Sequence, residues 1–595
     1  MNPSATLHKP MAAASPFSTE RRARLETGVE VALLLVAAVF FALHFVHLRA
    51  DFPNHSFWMD WAKYTDEGWY GDAAIRHYQL GHWNVPGDFN PAAALPMWPL
   101  VEAALFRVTG VSLVAARALT VAVFGLCLVC TYGLIRRWPN VSQHRNLAPA
   151  MGVLLLAVSP FCFVFMRLAI LEPLLILLML TALWTASTAG AVPWSDAPWR
   201  ESLHTRRNLR PAAWAVALGL LLPAMVLTKT TAVFLFPAIF WMLWAASGYR
   251  LKQFLRVAAI ACGVCGVVWI AYFVLVIRPH YLVDYRYLFS ANGYTGVTLP
   301  TLWPVLQDTV TDGSWMGMTL YVLALLAAVG SAAVLCATRL RGAPLTMALL
   351  LWVVGYTAFL AYHDNLQPRY YLVIAVPLTL LVAIAFDAVL AGAINSNSLG
   401  IAFLRTGFGM GLLRTMAMVG GVAVAFAAIH GGWQMIRFVS HPEYTFLSAA
   451  NRIHDEVQRE YDESKAKGGI GHSRLVMSIS GSDISLMTGL PSICDDFGTM
   501  TLPDRVATYK PGWFATWNDV EDDKMDALSP MYRLVRVATL PAFDDPERNL
   551  LILYRLDAVP LPGRSHGRGR RRYLGTPPRP RIKAEAPPVV PPLKD

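Results

Sequence analysis

Long apolar runs separated by short polar connections dominate this chain. A run of about 17–25 apolar residues is long enough to cross a bilayer core as a helix. The pattern predicts a polytopic α-helical membrane protein whose membrane domain spans residues 28–435. We expect about eleven transmembrane helices, at residues 28–48, 112–135, 147–166, 168–188, 211–228, 230–248, 254–277, 316–337, 344–362, 370–392 and 411–434.

The pattern changes after the last apolar run. Residues 436–558 alternate amphipathic stretches with short apolar segments, including a helix at Asn451–Lys465 and strands at Tyr532–Thr539 and Asn549–Leu556. This alternation predicts a small soluble α/β domain. Residues 559–595 combine an arginine cluster with repeated prolines, which predicts a disordered basic tail.

Composition agrees with a membrane protein. The hydrophobic fraction is 55% and the charged fraction 15%, whereas soluble domains have about 45–50% apolar and about 25% charged residues. The formal net charge is +11, but much of this excess lies in one set of loops and in the basic tail. We therefore predict membrane lipids as partners and no nucleic acid.

The distribution of Lys and Arg predicts the orientation of the helices. Basic residues concentrate in loops such as Arg136–Arg137 and Arg250–Arg256, which places these loops and the leader 1–27 in the cytoplasm. The long loop 49–111 then lies on the opposite, non-cytoplasmic side. Because the helix number is odd, the domain 436–558 should lie on that side too.

The loop 49–111 is too long for a simple connection, since most helix connections run about 2–8 residues. It predicts two interfacial helices, through Trp58–Gln79 and Ala93–Val108, with aromatic residues at the headgroup level. The loop is also dense in carboxylates. Asp66 and Glu67 are adjacent just after the first apolar run, and they are our leading candidates for a catalytic base.

Other charged residues lie close to the membrane on the same side. Arg167 and Glu172 flank one short connection, Lys229 lies in another, and Arg369 precedes the tenth helix. Snorkelling or ion pairing explains each of them singly. Charges held next to hydrocarbon usually have partners or a function, so together they predict one non-cytoplasmic cavity lined by acids and bases.

These motifs, in this order, resemble the GT-C superfamily of membrane glycosyltransferases. The resemblance is narrower to its bacterial branch, which is related to protein mannosyltransferases and aminoarabinose transferases and is similar to glycosyltransferase family 39. It extends over about residues 28–392. The motifs that carry it are Asp66-Glu67, Asn90-Pro91 to Trp98-Pro99, Ala115-Ala116-Arg117, Glu172-Pro173, Lys229 and Pro368-Arg369-Tyr370.

The resemblance implies an inverting transfer of a sugar from a polyprenyl-phosphate donor to a glycan, lipid or protein acceptor. It implies a multi-pass protein of the bacterial inner membrane, with a cytoplasmic N-terminus and a periplasmic or extracellular C-terminal domain. Asp66 would be the general base, and Glu67 would orient it or bind sugar. Three residues would bind the donor phosphate: Lys229, Arg369 and Tyr370. Five residues would bind the sugar or acceptor: Glu172, Asp88, Arg117, Trp69 and Tyr70.

Two other functions stay open at this stage. A transporter or flippase of lipid-linked sugars would use the same charges as a relay, although transporters usually place them near the bilayer midplane. A relative that has lost activity could act as a scaffold. Asp66, Glu67 and Glu172 could also supply oxygen ligands to a metal, but the resemblance implies no metal, and we predict no cofactor. For Asp483, Asp495 and Asp496, turn and cap roles are favoured over binding.

Overall fold

The computed structural model describes residues 16–53, 56, 58–138, 147–194, 206–291, 298–337, 343–363, 366–394, 406–469 and 471–559. The first fifteen residues of the predicted leader lie outside this range. The predicted basic tail lies outside the described residues from residue 560 onward.

Helices make up most of the described chain, as the apolar runs predict. The membrane part and the first loop contain α1 Pro16–Leu43, α2 Asp66–Leu80, α3 Met97–Thr109, α4 Leu113–Arg137, α5 Ala148–Ala157, α6 Pro160–Phe165, α7 Leu171–Ala191, α8 Arg206–Thr228, α9 Phe236–Ala246, α10 Leu251–Tyr272, α11 Leu282–Ala291, α12 Leu299–Asp312, α13 Met318–Ala337, α14 Pro344–Leu360, α15 Leu372–Ile394 and α16 Gly407–Ser440. The C-terminal part contains α17 Thr445–Ala466, α18 Gly481–Thr488, α19 Leu502–Tyr509 and α20 Asp522–Leu528.

Nine helical stretches within the described residues are long and apolar enough to cross a membrane. They match nine of the eleven predicted runs. The run 147–166 is split into α5 and α6, because Pro160 cannot donate a backbone hydrogen bond and Ser159 starts a new helix by accepting from the Cys162 N–H at 3.3 Å. The run 230–248 begins as the 3-10 helix Thr230–Leu235 before α9.

The C-terminal region forms a five-stranded sheet. Its strands are β1 Val476–Met477, β2 Ser492–Ile493, β3 Trp513–Trp517, β4 Tyr532–Pro541 and β5 Leu550–Ala558, in the spatial order β2-β1-β3-β5-β4. β1 pairs in parallel with β2 and β3, whereas β5 pairs antiparallel with β3 and β4. A polytopic helical protein with a small C-terminal α/β domain is therefore confirmed as the fold class.

The first loop forms the two expected helices, with changed bounds. The first begins at Asp66, after the short 3-10 helix Trp61–Lys63, and ends at Leu80. Gly81 caps it, and its φ of 79° suits a left-handed helix cap. Most of α2 is buried, because it packs between α3 and α18. The helix is thus part of the protein interior and does not simply rest on the membrane.

Loop residues attach the C-terminal domain through polar contacts. Asp51 caps the first turn of α17, because its carboxylate accepts the backbone N–H groups of Phe446 at 2.8 Å and Leu447 at 3.2 Å. Lys63 donates to Asp545 at 2.6 Å, at a position where both side chains are buried. Sheet residues and membrane helices also share one continuous apolar core.

A buried charge cluster holds the end of α2 to the same domain. The Asp88 carboxylate forms ion pairs with Arg76 and with Arg505, the latter at 3.0 Å. Arg505 is 1% exposed, and its guanidinium also donates to the backbone carbonyls of Cys494 at 2.7 Å and Phe497 at 2.6 Å. The Asp88 carboxylate is therefore shared by two buried cations, and Asp72 supplies a second negative charge to Arg76 at 3.0 Å.

We expect Asp88→Ala to destabilise the protein strongly. Removing one partner of a buried ion pair leaves an uncompensated charge and costs about 3–5 kcal/mol. The free energy of unfolding is measured by chemical denaturation in detergent, followed by tryptophan fluorescence. The control is Arg452→Ala, which removes an exposed arginine from its ion pair with Glu456 while Arg459 stays paired with the same carboxylate, and it should cost under about 1 kcal/mol. Equal losses in the two variants would contradict the prediction.

Candidate active site

The first turn of α2 carries the two predicted catalytic carboxylates. Thr65 is the N-cap residue, and Asp66 and Glu67 occupy the first turn. Carboxylates are favourable there because the helix N-terminus carries a partial positive charge. Adjacent helix residues point in different directions, however, and the two side chains have different partners.

Asp66 shares one cation with a second carboxylate. Asp66 Oδ2 lies 2.5 Å from Arg369 Nη2, and the Arg369 side chain also donates to Asp60. The backbone N–H of Arg369 donates to the other oxygen of Asp60 at 2.9 Å. All three side chains are buried. A single guanidinium therefore compensates two carboxylates in a water-poor environment.

One oxygen of Asp66 is suited to accept a proton. Asp66 Oδ1 accepts a hydrogen bond from the Thr65 hydroxyl at 2.9 Å. Asp66 Oδ2 contacts Arg369 electrostatically, yet it accepts no well-aligned hydrogen bond. Burial raises the pKa of Asp66, Arg369 opposes this shift, and Asp60 adds to it. A base with a raised pKa can hold a proton at a pH where an exposed Asp would lose it.

A second ion pair lies beside this group. Lys229 forms a buried ion pair with Glu172, and its ammonium lies 3.8 Å from the centroid of the Tyr370 ring. The guanidinium of Arg369 lies 4.8 Å from the same ring. Two cations thus converge on one aromatic ring, whose π-face attracts positive charge. Glu172 Oε2 is buried and accepts no hydrogen bond.

The structure brings together six of the ten residues that the sequence analysis singled out. Asp66, Glu172, Lys229, Arg369 and Tyr370 are linked by the contacts above or by mutual electrostatic interaction. Tyr70 belongs to the same group, because the charges of Asp66 and Arg369 act on it. Burial raises the pKa of its hydroxyl. With Asp60 included, this group contains three carboxylates and two cations. We call these seven residues the Asp66 cluster.

Glu67 lies in a separate, fully bonded arrangement. Arg117 donates to both of its oxygens, at 2.8 and 2.5 Å, and the Ala169 N–H donates to it at 2.9 Å. Arg117 also donates to the backbone carbonyls of Leu48 and Ala50. This bidentate pair joins α2 to α4 and to the end of α1, which is a positioning arrangement.

The remaining two predicted binding residues face the C-terminal domain. Trp69 donates its indole N–H to the Ile479 carbonyl at 2.9 Å, and its ring packs against Phe89 and Phe497. Asp88 takes part in the Arg76–Arg505 cluster described above. Among the described residues, neither side chain forms a hydrogen bond or an ion pair with Asp66.

Sequence reasoning missed three buried carboxylates near this region. Asp60 was part of the acid-rich loop, but nothing in the pattern linked it to Arg369. Asp483 was assigned a turn or cap role; it is 2% exposed and interacts electrostatically with Asp66 and Glu67. Glu102 is 0% exposed on α3, and it is the only acid in that apolar helix. A lone acid in an apolar helix was the available signal for Glu102.

An apolar cavity of about 280 Å³ lies near the chain segment that contains Lys229. Leu227 and Thr230 contribute to its wall, whereas no residue of the Asp66 cluster does. Aromatic and aliphatic side chains cover the rest, among them Trp269, Tyr272 and Phe273. The cavity thus presents hydrocarbon-like walls. Among the described residues, no group of three or more His, Cys, Asp or Glu side chains could hold a metal ion.

Solved structures share the fold of this chain, whereas no protein-family model and no curated sequence matches it. ArnT from Cupriavidus metallidurans bound to undecaprenyl phosphate is 15% identical with a TM-score of 0.54, covering 89% of this chain and 98% of that one. The archaeal oligosaccharyltransferase AglB from Archaeoglobus fulgidus, in complex with an inhibitory peptide and a dolichol-phosphate, is 14% identical with a TM-score of 0.47, covering 82% of this chain and 69% of that one. Both are GT-C glycosyltransferases, and the similarity to ArnT confirms the GT-C fold.

We expect Glu102→Gln to remove a pH dependence of stability. Burial, and secondarily the charge of Glu67, raise the pKa of Glu102 well above its ordinary value. The folded state therefore favours the protonated acid, and its contribution to stability is lost as the pH rises above the unfolded-state pKa. The neutral Gln variant should match the wild type at about pH 4 and exceed it at about pH 9.

The measurement is the thermal unfolding midpoint in detergent across that pH range. Glu463→Gln serves as control, because Glu463 is exposed on α17 and makes only long ion pairs. Identical pH curves for Glu102→Gln and wild type would disprove the protonated state.

Proposed function

We propose that this protein is an inverting glycosyltransferase that moves a sugar from a polyprenyl-phosphate donor to an acceptor on the non-cytoplasmic face of a bacterial inner membrane. The observation that carries the proposal is the Asp66 cluster itself. A buried carboxylate, one oxygen of which accepts no well-aligned hydrogen bond, interacts with two buried cations. The GT-C fold supports the same reaction class.

Asp66 is the general base in this proposal. Inversion by single displacement needs a base on the side opposite the leaving group. Asp66 Oδ2 takes the proton of the acceptor hydroxyl while the acceptor oxygen bonds to the anomeric carbon. The bond from that carbon to the phosphate oxygen breaks, and the phosphate keeps the electron pair. Since phosphate is a stable leaving group, no general acid is needed.

Lys229 and Arg369 stabilise the departing phosphate. Both are desolvated, so their effect on developing charge is larger than in water. An ammonium has three donors, and Lys229 can donate to a phosphate while keeping its bond to Glu172. Tyr370 lies against both cations and fixes their spacing. The donor phosphate would thus meet preformed positive charge.

The apolar cavity is our candidate for the first part of the lipid chain. Its apolar walls suit isoprenoid hydrocarbon, and Leu227 and Thr230 in its wall lie within two residues of Lys229 in the chain, which supports a lipid phosphate near the cations. The neighbour ArnT is bound to undecaprenyl phosphate, which supports a carrier of this class. Glu172 and Tyr70 interact electrostatically with Asp66, and we assign them to the binding of the sugar. Arg117, Trp69 and Asp88 support the site through the contacts of α2.

We expect Asp66→Asn to lower sugar transfer by about 10²- to 10⁴-fold, the usual contribution of a general base. Transfer from a panel of polyprenyl-phosphate sugars to lipid and protein acceptors is measured with purified protein in native lipids. Asp51→Asn is the matched control, because Asp51 lies in the same loop and Asn is an equally good helix cap. Full activity of Asp66→Asn would rule out the base, and donor movement without a new glycosidic bond would favour a flippase.

The pH dependence of kcat/KM gives a second test. The base must be ionised, so activity falls as the pH drops through the pKa of Asp66. Because Arg369 lowers that pKa, Arg369→Gln should move the acidic limb to higher pH, in addition to lowering the rate. Arg167→Gln is the control, because Arg167 instead donates to the carbonyls of Val46 and His47. An acidic limb that stays in place in Arg369→Gln would contradict the assignment.

A further inference from the structure

A short segment joins the two carboxylates that share Arg369. Asp60 and Asp66 lie at its two ends, and both side chains form ion pairs with the Arg369 guanidinium. Between them lie the 3-10 helix Trp61–Lys63, its C-cap and the N-cap residue of α2. We call residues 60–66 the bridge segment. Any movement of this segment changes the distances from both carboxylates to the same cation.

The beginning of the bridge segment is fixed to the residues that precede α15. The Arg369 N–H donates to Asp60 Oδ2 at 2.9 Å. The Trp61 N–H donates to Gln367 Oε1 at 3.2 Å. These contacts hold the first two residues of the bridge segment, and they do not involve its middle.

The C-terminal domain holds the middle of the bridge segment. Lys63 Nζ donates to Asp545 Oδ2 at 2.6 Å, and the two side chains are 6% and 5% exposed. The ammonium also lies 5.3 Å from the centroid of the Phe543 ring. Next to it, the Tyr64 ring has its centroid 5.0 Å from the Arg548 guanidinium. All three partners lie between the two long strands β4 and β5 or at the end of β4. Because a buried charge is costly without its partner, the ion pair keeps the two segments together.

The turn that carries Asp545 is held by its own hydrogen bonds. Asp545 Oδ1, the oxygen that the lysine does not use, accepts the Glu547 N–H at 3.0 Å. The Arg548 N–H donates to the Asp545 carbonyl at 2.9 Å. Asn518, just after β3, donates its side-chain amide to the Pro546 carbonyl at 2.7 Å. The acceptor of the lysine therefore has a fixed place in the C-terminal domain.

We propose that Lys63 and Asp545 are positioning residues of the active site. Their ion pair, which we call the clamp, holds the middle of the bridge segment against the C-terminal domain. In this way it keeps Asp60 and Asp66 on Arg369. The role rests on the proposed function, since it concerns the placement of the proposed base. A displacement of about 1 Å in a reacting group can cost about 10²-fold in rate.

Lys63→Met tests the clamp, because it removes the ammonium and keeps an apolar side chain of similar length. We expect kcat to fall about 10- to 100-fold with little change in the KM for the donor, since the phosphate-binding cations lie outside the bridge segment. Lys524→Met is the matched control. Lys524 is equally buried in the C-terminal domain and pairs with Asp495 at 3.2 Å. It should lower the thermal midpoint without the same loss of kcat.

The pH dependence of kcat/KM separates position from charge. Burial raises the pKa of Asp66, and Arg369 lowers it. A loosened bridge segment weakens the contact with Arg369, so the pKa rises and the acidic limb moves to higher pH. Lys63→Met removes a positive charge, whereas Asp545→Asn removes a negative one. Through charge alone the two variants would move the limb in opposite directions. Through loss of the clamp both move it to higher pH.

Hydrogen–deuterium exchange of residues 60–66 gives a readout that does not depend on activity. Exchange should be faster in Lys63→Met and in Asp545→Asn, and it should match the wild type in Lys524→Met. The positioning role is overturned by an unchanged kcat in Lys63→Met or by an equal loss of kcat in Lys524→Met. An acidic limb that stays in place or moves to lower pH in Asp545→Asn overturns it too.

The exchange experiment also distinguishes failure of the clamp from failure of the proposed function. If the wild type transfers no sugar, the proposed function fails. Faster exchange in the two clamp variants alone would then still support the clamp, whereas unchanged exchange in them would remove it.

Discussion

The ion pair between Arg369 and two carboxylates is the interaction on which the rest of this site depends. Asp60 and Asp66 lie in the first loop, and Arg369 lies just before a late membrane helix. Leaving any of these charges unpaired in a buried environment would cost several kcal/mol. The loop must therefore fold back onto the membrane domain at this point. The same contact that fixes the loop also places an acid, a cation and the Tyr370 ring in one group.

The loop and the C-terminal domain stabilise each other through buried polar contacts. Asp51 of the loop caps α17, and Ser482 of the domain donates to Asp72 of α2 at 2.8 Å. The buried Asp88–Arg505 pair works in the same direction. The C-terminal domain thus packs against α2, the helix that carries Asp66.

The sequence predicted what local patterns determine. Apolar runs gave the helices, and the acid-rich loop with its two helices was recognisable. The runs 147–166 and 230–248 are interrupted by Pro160 and by a 3-10 helix. A hydropathy pattern does not show such local breaks, because it is an average over many residues. The partners of the charged side chains were less predictable from the sequence. Arg369 and Asp60 are 309 positions apart and Glu67 and Arg117 are 50 apart, and periodicity carries no information on such contacts. The charge pattern and the resemblance to GT-C enzymes singled out Asp66, Lys229 and Arg369 as candidates, whereas the burial of Asp60, Glu102 and Asp483 needed coordinates.

In the proposed reaction Arg369 contacts both the base Asp66 and the donor phosphate. This arrangement is favourable because the total negative charge around Arg369 does not change during the transfer. In the proposed reaction the donor is a phosphodiester with one negative charge, and the leaving lipid phosphate carries a second. The acceptor proton that neutralises Asp66 removes one negative charge from the other side of Arg369. Negative charge thus moves from the carboxylate to the phosphate while the total in the cluster stays the same. A guanidinium that contacts Asp66 in the resting state can strengthen its bonds to phosphate as the carboxylate is protonated. Such a shift stabilises the transition state more than the bound substrate, which is the condition for catalysis.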